Sequence, residues 1–222
     1  LAFDAVLPWG LKASLEGIYN KDVNTAFFVN GGLKDPVPLN IAGYPDNRLI
    51  YPQTNAATNH QKYYQIVDNN GNVVTPGSGN GVSPIVLVNK KGGYYYSVTA
   101  KLEKSFDKGF SAMVAYTHSE AKNLIDGGGD QANSVWNGTP NVNGANSAEL
   151  SWASYVVPDK IIASASYRLE YFKFGATTLS AFYQGGSDGR FSYTYNANIL
   201  RDGAGANNLL YIPKDPSEIT FV

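Results

Sequence analysis

Apolar and polar residues alternate with a period of two in three paired runs, and each pair is joined by a very short turn. Residues 94–106 read YYYSVTAKLEKSF, turn at Asp107, Lys108 and Gly109, and return as FSAMVAYTHSEA over 110–121. Tyr94, Tyr96, Val98, Ala100 and Leu102 share one face of the first run, while Ser97, Thr99, Lys101 and Glu103 share the other. Successive side chains of a strand point to opposite faces of the pleat, so this period predicts strands.

The first pair opens with LAFDAVL, turns at Pro8-Trp9-Gly10, and returns with Leu11, Ala13, Leu15, Gly17 and Tyr19 on one face against Lys12, Ser14, Glu16 and Ile18. Proline presets φ in such a turn and glycine tolerates positive φ. The return strand is read as continuing to Asn30. Trp9, beside the turn, suits a membrane-interface anchor or a cap on a sandwich core. In the third pair Ile161, Ala163, Ala165, Tyr167 and Leu169 oppose Lys160, Ser164, Ser166, Arg168 and Glu170. A turn at 171–175 leads to a return strand with Thr177, Leu179, Ala181 and Tyr183 on the apolar face. The strand pairs thus fall at about 1–30, 94–121 and 159–184.

Between and after the pairs lie long Gly/Asn/Ser/Tyr-rich segments at about 31–91, 122–158 and 185–222. The first is far longer than an ordinary connection, which marks it as functional or separately folded. Pro36, Pro38, Pro45, Pro52, Pro76 and Pro84 forbid a continuous central strand within it. Tyr63 to Val67 and Asn72 to Thr75 flank Asn70-Gly71, a favoured hairpin turn, so a small hairpin is expected there.

A period of two with one polar face fits either a soluble sandwich or a wide barrel. In the sandwich the apolar face meets a core; in the barrel it meets lipid, and the polar face lines a hydrated lumen. Connection lengths separate the two. Tight turns at one end and long loops at the other are the mark of an outer-membrane barrel.

Composition sharpens this picture only in places. Charged residues make up 16% of the 222-residue chain, below the roughly 25% of soluble domains. Sixteen Tyr against one Met suit a barrel girdle or a ligand-binding loop, because the ring buries while the hydroxyl stays wet. A net charge of −1 gives no basic footprint for nucleic acid. With no cysteine, thiol catalysis, disulfides and cysteine zinc sites are excluded. No apolar stretch reaches the ~18–20 residues of a spanning helix. Leu1 already stands in a strand pattern and Thr220-Phe221-Val222 lacks a closing strand, so the chain reads as an internal piece of a larger protein.

No catalytic constellation emerges, and no cofactor or metal is expected. His60 and His118 lack metal-ligand spacing, and on a strand His118 and Ser119 point to opposite faces. Asp68-Asn69-Asn70-Gly71-Asn72 begins like a calcium loop, but its twelfth position is Gly79, so a tight turn is expected. In residues 198–208 Arg201 stands beside the single carboxylate Asp202 and repels a cation. Gly127-Gly128-Gly129 lacks the setting of a phosphate loop, and Asn137-Gly138-Thr139 reads as a turn.

Three segments carry a family resemblance: FDAVLPWGLKASLEGIYNKDVN at 3–24, SYRLEYFKFGATTLSAFYQGGSDGRFSYTYNANI at 166–199, and NNLLYIPKDPSEITF at 207–221. They resemble TonB-dependent outer-membrane receptors, in the subgroup of Oar-like and SusC-like proteins of Bacteroidetes with an N-terminal carboxypeptidase-regulatory-like domain. The resemblance implies one arc of an antiparallel transmembrane β-barrel of about 22 strands, an all-β fold with long extracellular loops. It implies a Gram-negative outer membrane, import of a large glycan or peptide nutrient, and energy from the inner-membrane TonB complex. The plug, the TonB-contacting part and the last strands lie outside this chain, so its partners would be the rest of the receptor, membrane lipid and a surface lipoprotein. Relatives often carry an Asp/Asn-rich, calcium-like loop before LxYIP, from which Arg201 and Ala204 depart.

On this reading Tyr94, Tyr96, Val98, Ala100, Leu102, Ile161, Ala163, Ala165, Tyr167 and Leu169 face lipid. Tyr51, Tyr63, Tyr64, Trp136, Trp152, Tyr155, Tyr193 and Tyr195 are the candidate ligand contacts, since rigid amphipathic rings gain contact area at low entropy cost. The competing role for each is loop packing or a rim girdle. The alternative function is a surface β-sandwich that binds or adheres.

Overall fold

The computed structural model describes residues 1–52, 68–70, 72, 84–126 and 128–218. Among them the strands are β1 (Ala2–Val6), β2 (Lys12–Lys21), β3 (Thr25–Asn30), β4 (Val37–Pro38), β5 (Leu49–Ile50), β6 (Ile85–Lys90), β7 (Tyr94–Ser105), β8 (Phe110–Asn123), β9 (Ser151–Trp152), β10 (Asp159–Tyr171) and β11 (Gly175–Gly186). A seven-residue helix, α1 (Ala132–Gly138), and two single 3₁₀ turns complete them. The architecture is all-β and antiparallel.

The chain forms two compact units. The first comprises Leu1–Val23, Gly92–Asn123 and Ser151–Phe191, and it is one sheet in the order β1-β2-β7-β8-β10-β11, with β9 added to β8. The sheet is open, with β1 and β11 at its edges. The hairpins of the three paired runs are present. Asp107–Gly109 closes β7 onto β8, where Gly109 takes φ +74° and the Arg168 carbonyl sits where a Cβ would go. Glycine alone satisfies both constraints there. Because the pairs follow one another as a meander, every tight turn lies at one edge and every long connection leaves from the other.

The ladder register aligns the alternation of every strand. Phe3 pairs with Leu15, Leu15 with Ala100, Ala100 with Tyr116, Tyr116 with Ile161 and Ile161 with Gly185. One row on the opposite face runs Ala2, Glu16, Thr99, Thr117 and Lys160. A slip of one residue in any pairing would mix the two faces.

One strand departs from the sequence reading. β2 ends at Lys21 rather than at Asn30, because the Asp22 amide donates to the Gly93 carbonyl and the chain leaves the sheet there. Residues Thr25–Asn30 become β3, which pairs with β6. The polar run Lys21-Asp22, followed by Asn24, had interrupted the alternation at that point.

The second unit comprises Asn24–Lys91, Leu124–Leu150 and Ser192–Val222, so the three segments read as separate loops share one folded body. Its core joins Leu33, Tyr51, Trp136, Ala145, Leu200 and Ala204, with Phe28, Ile85 and Ile199 packed against them. Residues 132–138, including Asn137 and Gly138 of the sequon, are helical rather than a turn, and the Thr139 hydroxyl donates to the Val135 carbonyl. The hairpin expected over 63–75 lies outside the described residues, apart from Asp68–Asn70 and Asn72. There Asp68 Oδ1 accepts the amides of Asn70 and Asn72, the tight turn that was expected.

Beyond the short ladders of β3 with β6 and β4 with β5, asparagine side chains pair much of the backbone of this unit. Asn146 Oδ1 accepts the Asn30 amide at 2.7 Å and the Trp136 indole N–H at 2.9 Å, and its amide nitrogen donates to the Asn30 carbonyl. Asn143 accepts from Leu49, Asn141 from Gly144 and Asn208 from Ile199. Gly144 takes φ +96°, and a Cβ there would come within 2.6 Å of the Tyr51 ring. Asn146→Ala strips the buried Trp136 indole of its acceptor, and a buried unpaired donor costs about 1–3 kcal/mol. The expected loss of about 2–3 kcal/mol is read from denaturant unfolding followed by fluorescence of Trp136, the one buried tryptophan. An unchanged midpoint would contradict the role given to Asn146.

Candidate functional site

Two surfaces of the first unit hold the features a function could use. On the apolar face, Phe3, Leu15, Val98, Leu102, Val114, Ile161, Tyr167, Leu169, Leu179 and Tyr183 follow one another across six strands, each exposed. Leu179 is 62% exposed and Phe3 66%, values far above those of core positions. Monomeric soluble proteins rarely leave contiguous apolar patches beyond a few hundred Å². The described residues of this unit include no second sheet over that face; its buried apolar cluster is only Ala121, Ala153 and Val156 with Tyr95 alongside. The residues expected to face lipid, Tyr94, Tyr96, Val98, Ala100, Leu102, Ile161, Ala163, Ala165, Tyr167 and Leu169, all lie on this one side by register.

The opposite face is polar and partly self-satisfied. Thr99 and Thr117 hydroxyls meet at 2.9 Å, Ser111 and Ser166 at 2.7 Å, and Lys101 donates to Glu103 at 3.0 Å. Toward the tight turns this face forms a trough of about 670 Å³, lined by Lys12, Glu103, Ser111, Ser164, Ser166 and Ser180 among others. Serine and threonine keep such a surface wettable without carrying charge, and the few ions present are paired or exposed.

At the long-connection edge the apolar face ends in aromatic and ionic groups. Tyr94 and Tyr96 stack with centroids 6.5 Å apart, and their hydroxyls donate to the two oxygens of Glu120. The Tyr116 hydroxyl donates to Asp159, and His118 Nδ1 lies 2.9 Å from the same oxygen. Trp152, on β9, carries Lys122 Nζ at 4.3 Å and Arg190 Cζ at 3.8 Å from its ring centroid. Such cation–π contacts contribute ~0.5–1 kcal/mol at exposed sites. At the tight-turn edge the rings of Phe106 and Phe110 contact each other, and Tyr171, Phe172 and Phe174 form a second group.

The candidate ligand contacts divide by burial. Tyr51 and Trp136 are 2% and 3% exposed and pack in the core of the second unit. Burial pushes the Tyr51 hydroxyl up to about 12, and the carboxylates of Asp202 and Asp35 add to the shift. Trp152, Tyr155 and Tyr193 are exposed. Tyr195 is half-buried beneath the Arg48 guanidinium at 5.7 Å, while that guanidinium bonds Asp46 and the Leu209 carbonyl. Tyr63 and Tyr64 lie outside the described residues. Beside Tyr51 the second unit has a cleft of about 330 Å³ lined by Leu33, Lys34, Asp35, Asn143, Asn146 and Ser147, which no local pattern in the sequence announces.

Asp202 is fully buried, and its two oxygens accept the Ala145 and Ala204 amides at 2.9 and 3.0 Å. It ties two segments of the second unit together. His118 and Ser119, as expected, occupy opposite faces of β8. Lys122, Arg190, Glu120 and Asp159 were not singled out in the sequence, although charges that abruptly end an apolar face are a readable signal of a boundary. No family model, no curated protein and no solved structure matches this chain.

The LLYIPKDPSE segment closes on itself. The Tyr211 hydroxyl and the Lys214 amide both donate to Glu218 Oε2, at 2.7 and 3.0 Å. The Tyr211 bond, then the Lys214 amide, hold the Glu218 carboxyl below its usual 4.5, while Glu218 pushes the Tyr211 hydroxyl up to about 12. A depressed carboxylate contributes its stabilisation above 4.5 and loses it as pH falls through the lower folded value. The Lys214 amide should therefore exchange with solvent faster, relative to its intrinsic rate, as pH drops below 4.5. Glu218→Gln should show fast exchange already at neutral pH. Hydrogen exchange measured by NMR checks both; pH-independent protection would contradict the contact.

Proposed function

We propose that this chain is part of a TonB-dependent outer-membrane transporter of a Gram-negative bacterium, contributing an arc of its barrel and a folded body of external loops. The observation that carries the reading is the uncovered apolar face, continuous over six strands and backed by a polar face. Water penalises such a surface, whereas hydrocarbon on one side and a wet lumen on the other suit it. A surface sandwich would cover the same face with a second sheet.

Dimensions support lipid as the cover. On β10 the apolar side runs from Ile161 to Tyr171. Ten steps at ~3.3 Å, tilted by about 40°, span ~25 Å, the height of a barrel's apolar band. Aromatic residues stand at both limits, as interfacial girdles do. The edges at β1 and β11 would pair with strands of the remaining receptor, since lipid tolerates no unpaired backbone.

In this role the tight turns face the periplasm and the second unit faces the medium, where it makes first contact with a large glycan or peptide. Among the candidate contacts the exposed rings of Trp152, Tyr155 and Tyr193 fit that task best. Energy would come from the inner-membrane TonB complex acting on a plug supplied by the rest of the receptor, and a surface lipoprotein would be a further partner.

Two outcomes are expected. Ala100→Arg places a charge on the lipid face near mid-height and should destabilise the folded barrel by about 2–4 kcal/mol, whereas Thr99→Arg on the lumen face should cost little. Urea titration in lipid vesicles measures the difference, and equal tolerance would argue for a soluble fold. Protease added to intact cells should cut within 31–91 or 122–158 and spare Lys108. Cleavage at Lys108 alone would invert the topology.

A further inference from the structure

We propose that the row Lys21, Tyr94, Lys122 and Trp152, closed by Arg190, binds the phosphate of an anionic lipid headgroup at the long-connection edge; this rests on the membrane reading above. Ladder register alone places the row. Lys21 pairs with Tyr94, Tyr94 with Lys122, and Lys122 with Trp152, so four adjacent strands present these side chains on the apolar side of the sheet. The same side therefore faces hydrocarbon lower down and cations above it.

Depth identifies the occupant. The row lies two residues beyond Tyr19 and Tyr96, which is ~5 Å further along the bilayer normal at the tilt of a barrel strand. Aromatic rings sit at the headgroup boundary, so the cations above them fall at the level of lipid phosphates. Charge points the same way. Lys122 and Arg190 are both held against the ring of Trp152, and like charges gathered this way repel unless an anion joins them. Glu120 is the carboxylate coupled to both, but its two oxygens already accept from Tyr94 and Tyr96. Lys21, Lys122 and Arg190 stand against two carboxylates, the engaged Glu120 and Asp22 beside Gly93, and the excess positive charge is left at the Trp152 end for a phosphate, which Arg190 can bond through paired N–H groups and Lys122 as a point charge. Trp152 fixes both cations, so the site is organised before a lipid arrives.

The test uses the full-length protein carrying this chain, in dodecyl-maltoside micelles, with dioleoyl phosphatidic acid as probe and native mass spectrometry as readout. Bound phosphatidic acid should be lost about tenfold or more in affinity in the double variant Lys122→Gln/Arg190→Gln, and unaffected in Lys104→Gln at the opposite edge. Dioleoylglycerol, which lacks the phosphate, should not bind. Equal binding by the double variant, equal binding of dioleoylglycerol, or displacement by millimolar inorganic phosphate would each overturn the proposal, the last by making it a free-anion site. Heat-modifiable gel mobility in the same micelles separates the two levels. A heat-modifiable barrel that fails the lipid arms overturns this inference alone, whereas a protein that is soluble and unmodifiable by heat overturns the membrane reading with it.

Discussion

The antiparallel ladder holds the two faces of the first unit apart. Each pairing from β1 through β2, β7, β8 and β10 to β11 keeps the same parity, so Leu15, Ala100, Tyr116 and Ile161 stand in one row. Nothing in the individual strands forces that. A single strand with alternating residues is amphipathic by itself, but six strands make one surface only if no pairing slips by a residue. Tight turns enforce the register within each hairpin, and the inter-hairpin pairings of β2 with β7 and β8 with β10 extend it across the sheet. From this follow the apolar band, the polar trough and the line of cations at one edge.

The second unit solves a different problem. It has few ladders among its described residues, and its backbone groups still need partners once they leave water. Asn143, Asn146 and Asp202 supply some of them by accepting backbone amides of other segments, while Asn30, Asn141 and Asn208 accept amides within their own. The core of Leu33, Tyr51, Trp136 and Leu200 can then form from segments far apart in sequence.

Much of the sheet was legible because period-two alternation is a local property. The turns at Pro8–Gly10 and Asp107–Gly109, the faces of 94–102 and 161–169, and the all-β class could all be read from neighbouring residues. The end of β2 was misplaced by nine residues because the apolar run at 25–30 masks the polar break at Lys21, Asp22 and Asn24, where the Asp22–Gly93 bond marks the exit from the sheet. The helix at 132–138 was missed because it lacks a side-chain cap and an acidic first turn. For Tyr51 and Trp136 the sequence left ligand contact and loop packing side by side, since it carries no record of Asn146 and Leu200 arriving around them from distant positions. The cation cluster on Trp152 was hidden for the same reason: Lys122, Trp152 and Arg190 meet only after β9 joins β8.

The central claim is that the uncovered face meets hydrocarbon and the other meets water. These 222 residues contain no cysteine, so single cysteines can be introduced into them one at a time, with any cysteine elsewhere in the protein replaced beforehand. Nitroxide labels placed successively from Ser97 to Leu102, in the full-length protein in lipid vesicles, report collision with apolar oxygen and with a water-soluble nickel chelate. The account predicts a strict alternation, with oxygen favoured at Val98, Ala100 and Leu102 and the nickel chelate favoured at Ser97, Thr99 and Lys101. Uniform access of the nickel chelate to both sets, or exclusion of both reagents from Val98, Ala100 and Leu102, would contradict it: the first would place the sheet in water and the second would bury its apolar face in protein.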